Sequence, residues 1–215
     1  MKLKRSSKLG LSRSLKAICI LLVVVLAAPL TAVSAGALAS DDYTQWKQAD
    51  EEWNETAPWT GTSAGFMARS GCWITSVSML LRQYGLVSED LEEFNPWICA
   101  GELYAAGALT WSGDMVLRNV DAAYPGFHYV GTYGYSFSLL QELFEEGYAC
   151  ALLVKGGGHM VAVRDVLEDG TVEIMDPGWE HTTLSEWGGA TEIVVFDPSY
   201  TAPLQVIGDY VILNS

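Results

Sequence analysis

Of the chain's four cysteines, Cys19 lies in an apolar N-terminal run and three, Cys72, Cys99 and Cys150, lie beyond it. In a chain sent to an oxidising compartment an odd count leaves one thiol unpaired. Cys72 is the candidate because it heads a helical pattern. Gly71-Cys72-Trp73-Ile74-Thr75-Ser76-Val77-Ser78-Met79-Leu80-Leu81-Arg82-Gln83-Tyr84-Gly85 opens on a turn residue, carries apolar residues at helical spacing and stops at a glycine. This predicts a helix with Cys72 at or beside its N-terminus. The positive end of the helix dipole favours the thiolate, the form of cysteine that acts as a nucleophile. Cys99 and Cys150 are open to two readings, a disulfide between them or two small buried hydrophobes.

A nucleophilic thiol is activated by a nearby base, and three histidines are available: His128, His159 and His181. His159 has the best context. It follows Lys155-Gly156-Gly157-Gly158 and opens the apolar run Met160-Val161-Ala162-Val163, which predicts a position on a sheet rim with an accessible ring. Asp169-Gly170 is a hairpin signal that folds Val172 to Met175 back beside that strand. The return strand runs into Asp176-Pro177-Gly178, so Asp176 is expected next to His159, accepting its Nδ1 proton and fixing the tautomer. The same residue types raise the question of a zinc site built from Cys72, His159, Asp176 and His181. No tight pair such as C-x-x-C or H-E-x-x-H is present, so no metal and no cofactor is expected.

The elements that must position these groups can be read from the pattern. Residues 40–70 are aromatic, acidic and Gly-rich with little periodicity, a loop pinned by its tryptophans. Helices are expected over 72–84, 89–94 and 113–123, the last with Ser112 as its cap. A further helix comes after Ser136, where Phe137, Leu139, Leu140, Leu143 and Phe144 form a stripe ended by Gly147. Strands are expected over 149–155, 159–167, 172–175, 192–196 and 209–213. Helices preceding an antiparallel sheet make an α+β plan.

Three blocks then resemble a known family: Gln48-x-Asp50-x-x-Trp53, Gly71-Cys72-x-x-Thr75-Ser76-Val77-x-Met79, and Gly158-His159-x-Val161 with Asp176-Pro177-Gly178 after it. In order and along nearly all of residues 40–215, they resemble the C39-like, papain-fold cysteine peptidases. The resemblance implies a papain-like domain of N-terminal helices packed on an antiparallel β-sheet. It implies Cys72 as nucleophile, His159 as general base and then acid, and Asp176 as the group orienting His159. Gln48 matches the glutamine whose side-chain amide binds the oxyanion with the Cys72 backbone N–H; Gln45 is a rival for that role. Trp73, beside the nucleophile, and Trp179, just past Asp176-Pro177-Gly178, are the expected substrate-binding aromatics. Trp97, Trp111 and Trp187 either line the same groove or pack in the core. The best-known branch of the family is fused to ABC transporters and removes double-glycine leaders. The present chain shows neither transporter spans nor a nucleotide-binding part, and leader cleavage is not implied.

Composition bounds the remainder. Residues 1–39 carry Lys2, Lys4, Arg5, Lys8, Arg13 and Lys16, then an apolar stretch and Ala37-Leu38-Ala39, the pattern of a cleaved secretory signal. An uncleaved N-terminal anchor is the alternative, and it is the only membrane contact expected. Beyond residue 39 six basic residues face 26 acidic ones, a balance that argues against binding a nucleic-acid backbone. Half of the residues are hydrophobic, so the acidity belongs to a folded domain rather than to a disordered tail. The expected protein is a secreted or cell-surface cysteine hydrolase whose partner is a peptide or protein substrate, cell-wall peptides included. The alternatives are an acyl or peptidyl transferase using the same thioester, and a non-catalytic peptide- or wall-binding module on the same fold.

Overall fold

Every residue of strand β2 (Ala149–Val154) is buried, which is what an apolar run with no polar alternation requires. Ala149, Ala151 and Leu153 face one hydrophobic cluster, and Cys150, Leu152 and Val154 face another. In this computed structural model the described residues are 43–50, 53 and 56–200, together with the backbone of 205–207 and 210–212. The signal segment expected over 1–39 lies outside them. Strand β2 is the middle of a five-stranded antiparallel sheet in the order β1-β5-β2-β3-β4. Its other members are β1 (His128–Gly134), β3 (His159–Val166), β4 (Val172–Met175) and β5 (Glu192–Asp197). Strands β6 (Gln205–Ile207) and β7 (Tyr210–Ile212) form a separate two-stranded ribbon.

One face of the sheet is covered by α1 (Phe66–Ser70), α2 (Cys72–Gln83) and α3 (Pro96–Ala105), the other by α5 (Phe137–Glu145) and the turn Leu184–Trp187. The fold is α+β. Helix α2 lies along β3 and is stitched to it by polar side chains: Ser76 Oγ donates to the Met160 carbonyl at 3.0 Å and Gln83 Nε2 to the Arg164 carbonyl at 3.1 Å. This docking sets the start of α2 against the start of β3, where Cys72 and His159 lie. The aromatic segment before α1 is held by side chains: Trp46 packs edge-on against Trp53, whose Nε1 donates to the Lys47 carbonyl at 2.7 Å.

Several expectations are corrected. Residues 89–94 form a turn, and the helix is the next segment, α3. There Asn95 accepts from the Trp97 and Ile98 N–H groups and Pro96 takes the first position, the side-chain cap and fixed φ that start a helix. Residues 113–123 do not form one helix. Gly113 sits at φ 91°, and the Phe66 ring occupies the place where a Cβ would be. Ser112, the expected cap, instead donates to Asp114 at 2.6 Å inside a turn, and the chain then forms only a 3-10 turn and the four-residue helix α4 (Val120–Ala123). Helix α1 and strand β1 were not expected. Strand β1 is a bulged edge strand with two glycines and no buried residue, so it lacks the apolar alternation that marks a strand. It precedes α5, so the sheet does not wait for the last helix. Cys99 and Cys150 are both free. They belong to clusters on opposite faces of the sheet, and burial pushes each thiol up to about 12.

Candidate active site

Helices α1 and α2 run in series and are broken only at Gly71. Its N–H donates to the Met67 carbonyl at 2.7 Å, and a Cβ added there would sit 2.5 Å from that oxygen. Glycine is therefore required for α1 to end and α2 to begin one residue later. Cys72 is the first residue of α2, and Gly71 has no side chain with which to cap the helix, so the dipole's positive end is left for the site. Burial, the strongest influence on the Cys72 thiol, pushes its pKa up. Hydrogen bonds with His159 and the Met160 backbone, the charge of His159 and the Trp73 backbone outweigh it, and the thiol lies below its ordinary range. Trp73 itself is half-buried against the helical-side core.

His159 is the first residue of β3, paired across the sheet with Val154. The β3–β4 hairpin, with Gly170 at φ 88° in its turn, returns the chain so that Met175 pairs with Ala162 and Asp176 stands at the end of β4. Asp176 Oδ1 accepts from His159 Nε2 at 2.7 Å. The expectation that Asp176 binds Nδ1 is thus corrected: Nε2 faces the carboxylate, and Nδ1 is the nitrogen left for Cys72. The same Oδ1 accepts the Gly178 and Trp179 N–H groups at 2.8 and 3.1 Å, and Oδ2 accepts Trp187 Nε1–H at 2.9 Å. Four donors hold a carboxylate that is 1% exposed. Burial pushes its pKa up, but His159 and the other donors more than offset this and hold it low. For His159, burial lowers the pKa, and hydrogen bonds and charges from Asp176 and Cys72 raise it above the usual histidine value. A low thiol pKa and a raised imidazole pKa together favour the thiolate–imidazolium pair.

The His159 ring is 4% exposed rather than accessible. Trp179 packs edge-on to it at 4.7 Å between ring centres and Trp187 tilts against it at 5.4 Å. Gly178 makes this closeness possible, since a Cβ there would lie 3.0 Å from His159 Cε1. Trp179 keeps an outer surface, 42% exposed.

Gln48 ties two parts of the site together. Its N–H donates to the Pro177 carbonyl at 2.8 Å and its Nε2 donates to the Ala68 carbonyl, one turn before Cys72, at 2.7 Å. Gln45 is exposed on the 3-10 turn Tyr43–Gln45 and, among the described residues, its side chain donates to its neighbour Thr44. Of the two glutamines, Gln48 is the one joined to the segments that carry Cys72 and Asp176.

Three residues of the site make contacts that sequence reasoning did not assign to them. Lys47 Nζ donates to the Asp176 and Trp179 carbonyls at 2.9 and 2.7 Å and pairs with Glu180 at 3.6 Å, fastening the turn that carries the aspartate. Trp187, expected in the groove or the core, is a donor to Asp176. His181 packs on Trp187 and places Nδ1 3.7 Å from Asp176 Oδ2. Only the clustering of Trp179, His181 and Trp187 just after Asp176 was a signal. Lys47 lies 129 residues from its Asp176 partner and had none. Among the described residues no group of three or more His, Cys, Asp or Glu side chains is disposed to hold a metal ion, and no helix is long and apolar enough to cross a membrane.

The fold and site together define an α+β domain in which a helix-leading cysteine meets a buried, multiply bonded His–Asp pair on a sheet rim. No protein-family model matches the chain, and no curated protein is significantly similar to it.

Proposed function

We propose that the chain is a papain-like cysteine hydrolase, similar to the C39-like peptidases, that cleaves peptide or amide bonds by way of a thioester. The observation that carries this reading is the grouping of Cys72, His159 and Asp176: Asp176 binds His159 Nε2 at 2.7 Å, Cys72 and His159 act on one another, and every member's pKa is moved toward the charged form. The Cys72 thiolate attacks the scissile carbonyl and His159 gives its Nδ1 proton to the leaving amine. His159 then takes a proton from the water that resolves the thioester, while Asp176 holds the ring through Nε2. The developing oxyanion is stabilised by the Cys72 backbone N–H at the start of α2 and by the second amide hydrogen of Gln48, whose first is held by Ala68. Trp179 and Trp73 flank the bound chain. The basic and then apolar residues 1–39 support action outside the cytoplasm, on a peptide or protein that includes cell-wall peptides among its candidates.

The test is the reactivity of Cys72. Alkylation by iodoacetamide near neutral pH is expected to be much faster than for free cysteine, to vanish in Cys72→Ala, and to accompany turnover of a peptide mixture read by mass spectrometry. A thiol that reacts no faster than free cysteine overturns the reading.

A further inference from the structure

Lys155 stands at the mouth of this site, on the loop that leads to His159. It begins the β2–β3 loop that ends at His159, and its Nζ lies 4.8 Å from the centre of the Trp179 ring, within cation–π range. The Trp179 ring in turn lies against His159. Lys155 is exposed, and no carboxylate among the described residues pairs with it. Lys47, the other lysine flanking the site, is engaged by two carbonyls and by Glu180. Lys155 also has φ 54°, the one positive φ at a non-glycine among the described residues. Such a conformation is disfavoured for a residue bearing a Cβ and tends to be kept where it serves a site. The next two residues, Gly156 and Gly157, have nothing within 4 Å of where a Cβ would be, so the loop that carries Lys155 is uncrowded beside its backbone.

Beyond residue 39 the chain has six basic residues against 26 acidic ones. A negatively charged ligand is repelled by most of this surface and meets a local attraction only where a cation is free. We propose that Lys155 and the exposed face of Trp179 form a subsite for a carboxylate carried by the substrate, a free C-terminus or an acidic side chain. The ammonium has three donors, and the ring supplies an apolar floor for the carbon atoms that carry the carboxylate. The subsite rests on the cysteine-hydrolase reading for its role in catalysis, but its charge preference can be measured apart from turnover.

The probes are matched thiol alkylating agents differing only in charge. Chloroacetyl-glycine against chloroacetyl-glycinamide presents a terminal carboxylate or its amide. Chloroacetyl-glutamic acid α-amide against chloroacetyl-glutamine α-amide presents a side-chain carboxylate or its amide. The quantity read is the ratio of Cys72 alkylation rates, anionic over neutral, in the full chain. In at least one pair that ratio is expected to fall about threefold to fivefold on Lys155→Gln, the size of an exposed ion pair, and further on Lys155→Glu. The pair that responds identifies the source of the carboxylate. Lys155→Gly, which suits the left-handed backbone, is expected to match Lys155→Gln. The wild-type ratio is expected to shrink with added salt. Ratios that stay unchanged in both pairs across all three variants overturn the subsite. If instead Cys72 is no faster than free cysteine with any probe, the hydrolase reading fails, while the ratios, still measurable from the slower rates, decide the subsite on their own.

Discussion

Replacing Trp187 by Phe tests whether Asp176 is held charged by its donors. Phenylalanine keeps an aromatic ring among Trp179, His159 and His181 and removes one atom that matters, the Nε1–H that donates to Asp176 Oδ2 at 2.9 Å. The other three donors converge on Oδ1. The variant therefore leaves Oδ2 without a hydrogen bond, the nearest substitute being His181 Nδ1 at 3.7 Å. A hydrogen bond to a buried charged group contributes about 1.5–3 kcal/mol, and stranding a charged oxygen puts the loss at the upper end, about 2–3 kcal/mol. The pH dependence separates this from lost packing. Asp176 has its folded pKa below the unfolded value, so its contribution is fully present above about pH 4 and is lost as pH falls through the folded pKa. The Phe variant raises the folded pKa. Its deficit is expected to be full near pH 5, to shrink below about pH 4 and to close once Asp176 is protonated in both proteins. Urea unfolding monitored by far-UV circular dichroism from about pH 6 to about pH 3 measures it. A deficit that is constant across that range refutes the reasoning, because packing alone does not titrate.

Three further outcomes are expected. In His159→Gln the largest remaining influence on Cys72 is burial, which raises the thiol, so the pH midpoint of alkylation shifts upward, to or beyond the free-cysteine value of about 8.5. In Gln48→Ala the loss of an oxyanion donor lowers kcat about a hundredfold to a thousandfold, while the alkylation midpoint of Cys72 stays in place. In Gly71→Ala the methyl group meets the Met67 carbonyl at 2.5 Å, forcing α1 and α2 apart; thermal unfolding is expected to reveal a loss of about 1–3 kcal/mol.

Local chemistry made part of this site legible. The spacing after Gly71 announced α2 with Cys72 at its head, and Asp169-Gly170 announced the hairpin that brings Asp176 to His159. These features depend on a few neighbouring residues. The ring nitrogen that Asp176 binds was misread, because the turn of the imidazole is decided by Trp179 and Trp187 packing on it from later in the chain. The accessible ring failed for the same reason. Helix α3 carried its signal in Asn95-Pro96, a cap and first-position proline just past the segment 89–94 that was expected to be helical. Strand β1, with Gly131 and Gly134 and an exposed edge, carried too little periodicity to be read. Lys47 was invisible because its partners are carbonyls that only the assembled fold brings near.

That assembly bears on when the thiol acquires its surroundings. The contacts that create the site join distant stretches of chain: Ser76 meets Met160 across 84 residues, and Lys47 meets Asp176 across 129. Contacts of such long range form only after the loop-closure entropy of the intervening chain has been overcome. A nascent or unfolded chain holds Cys72 without a base, a carboxylate or a helix end, and it behaves as an ordinary thiol. On the proposed function, the reactivity of Cys72 therefore belongs to the assembled fold and not to the unfolded chain.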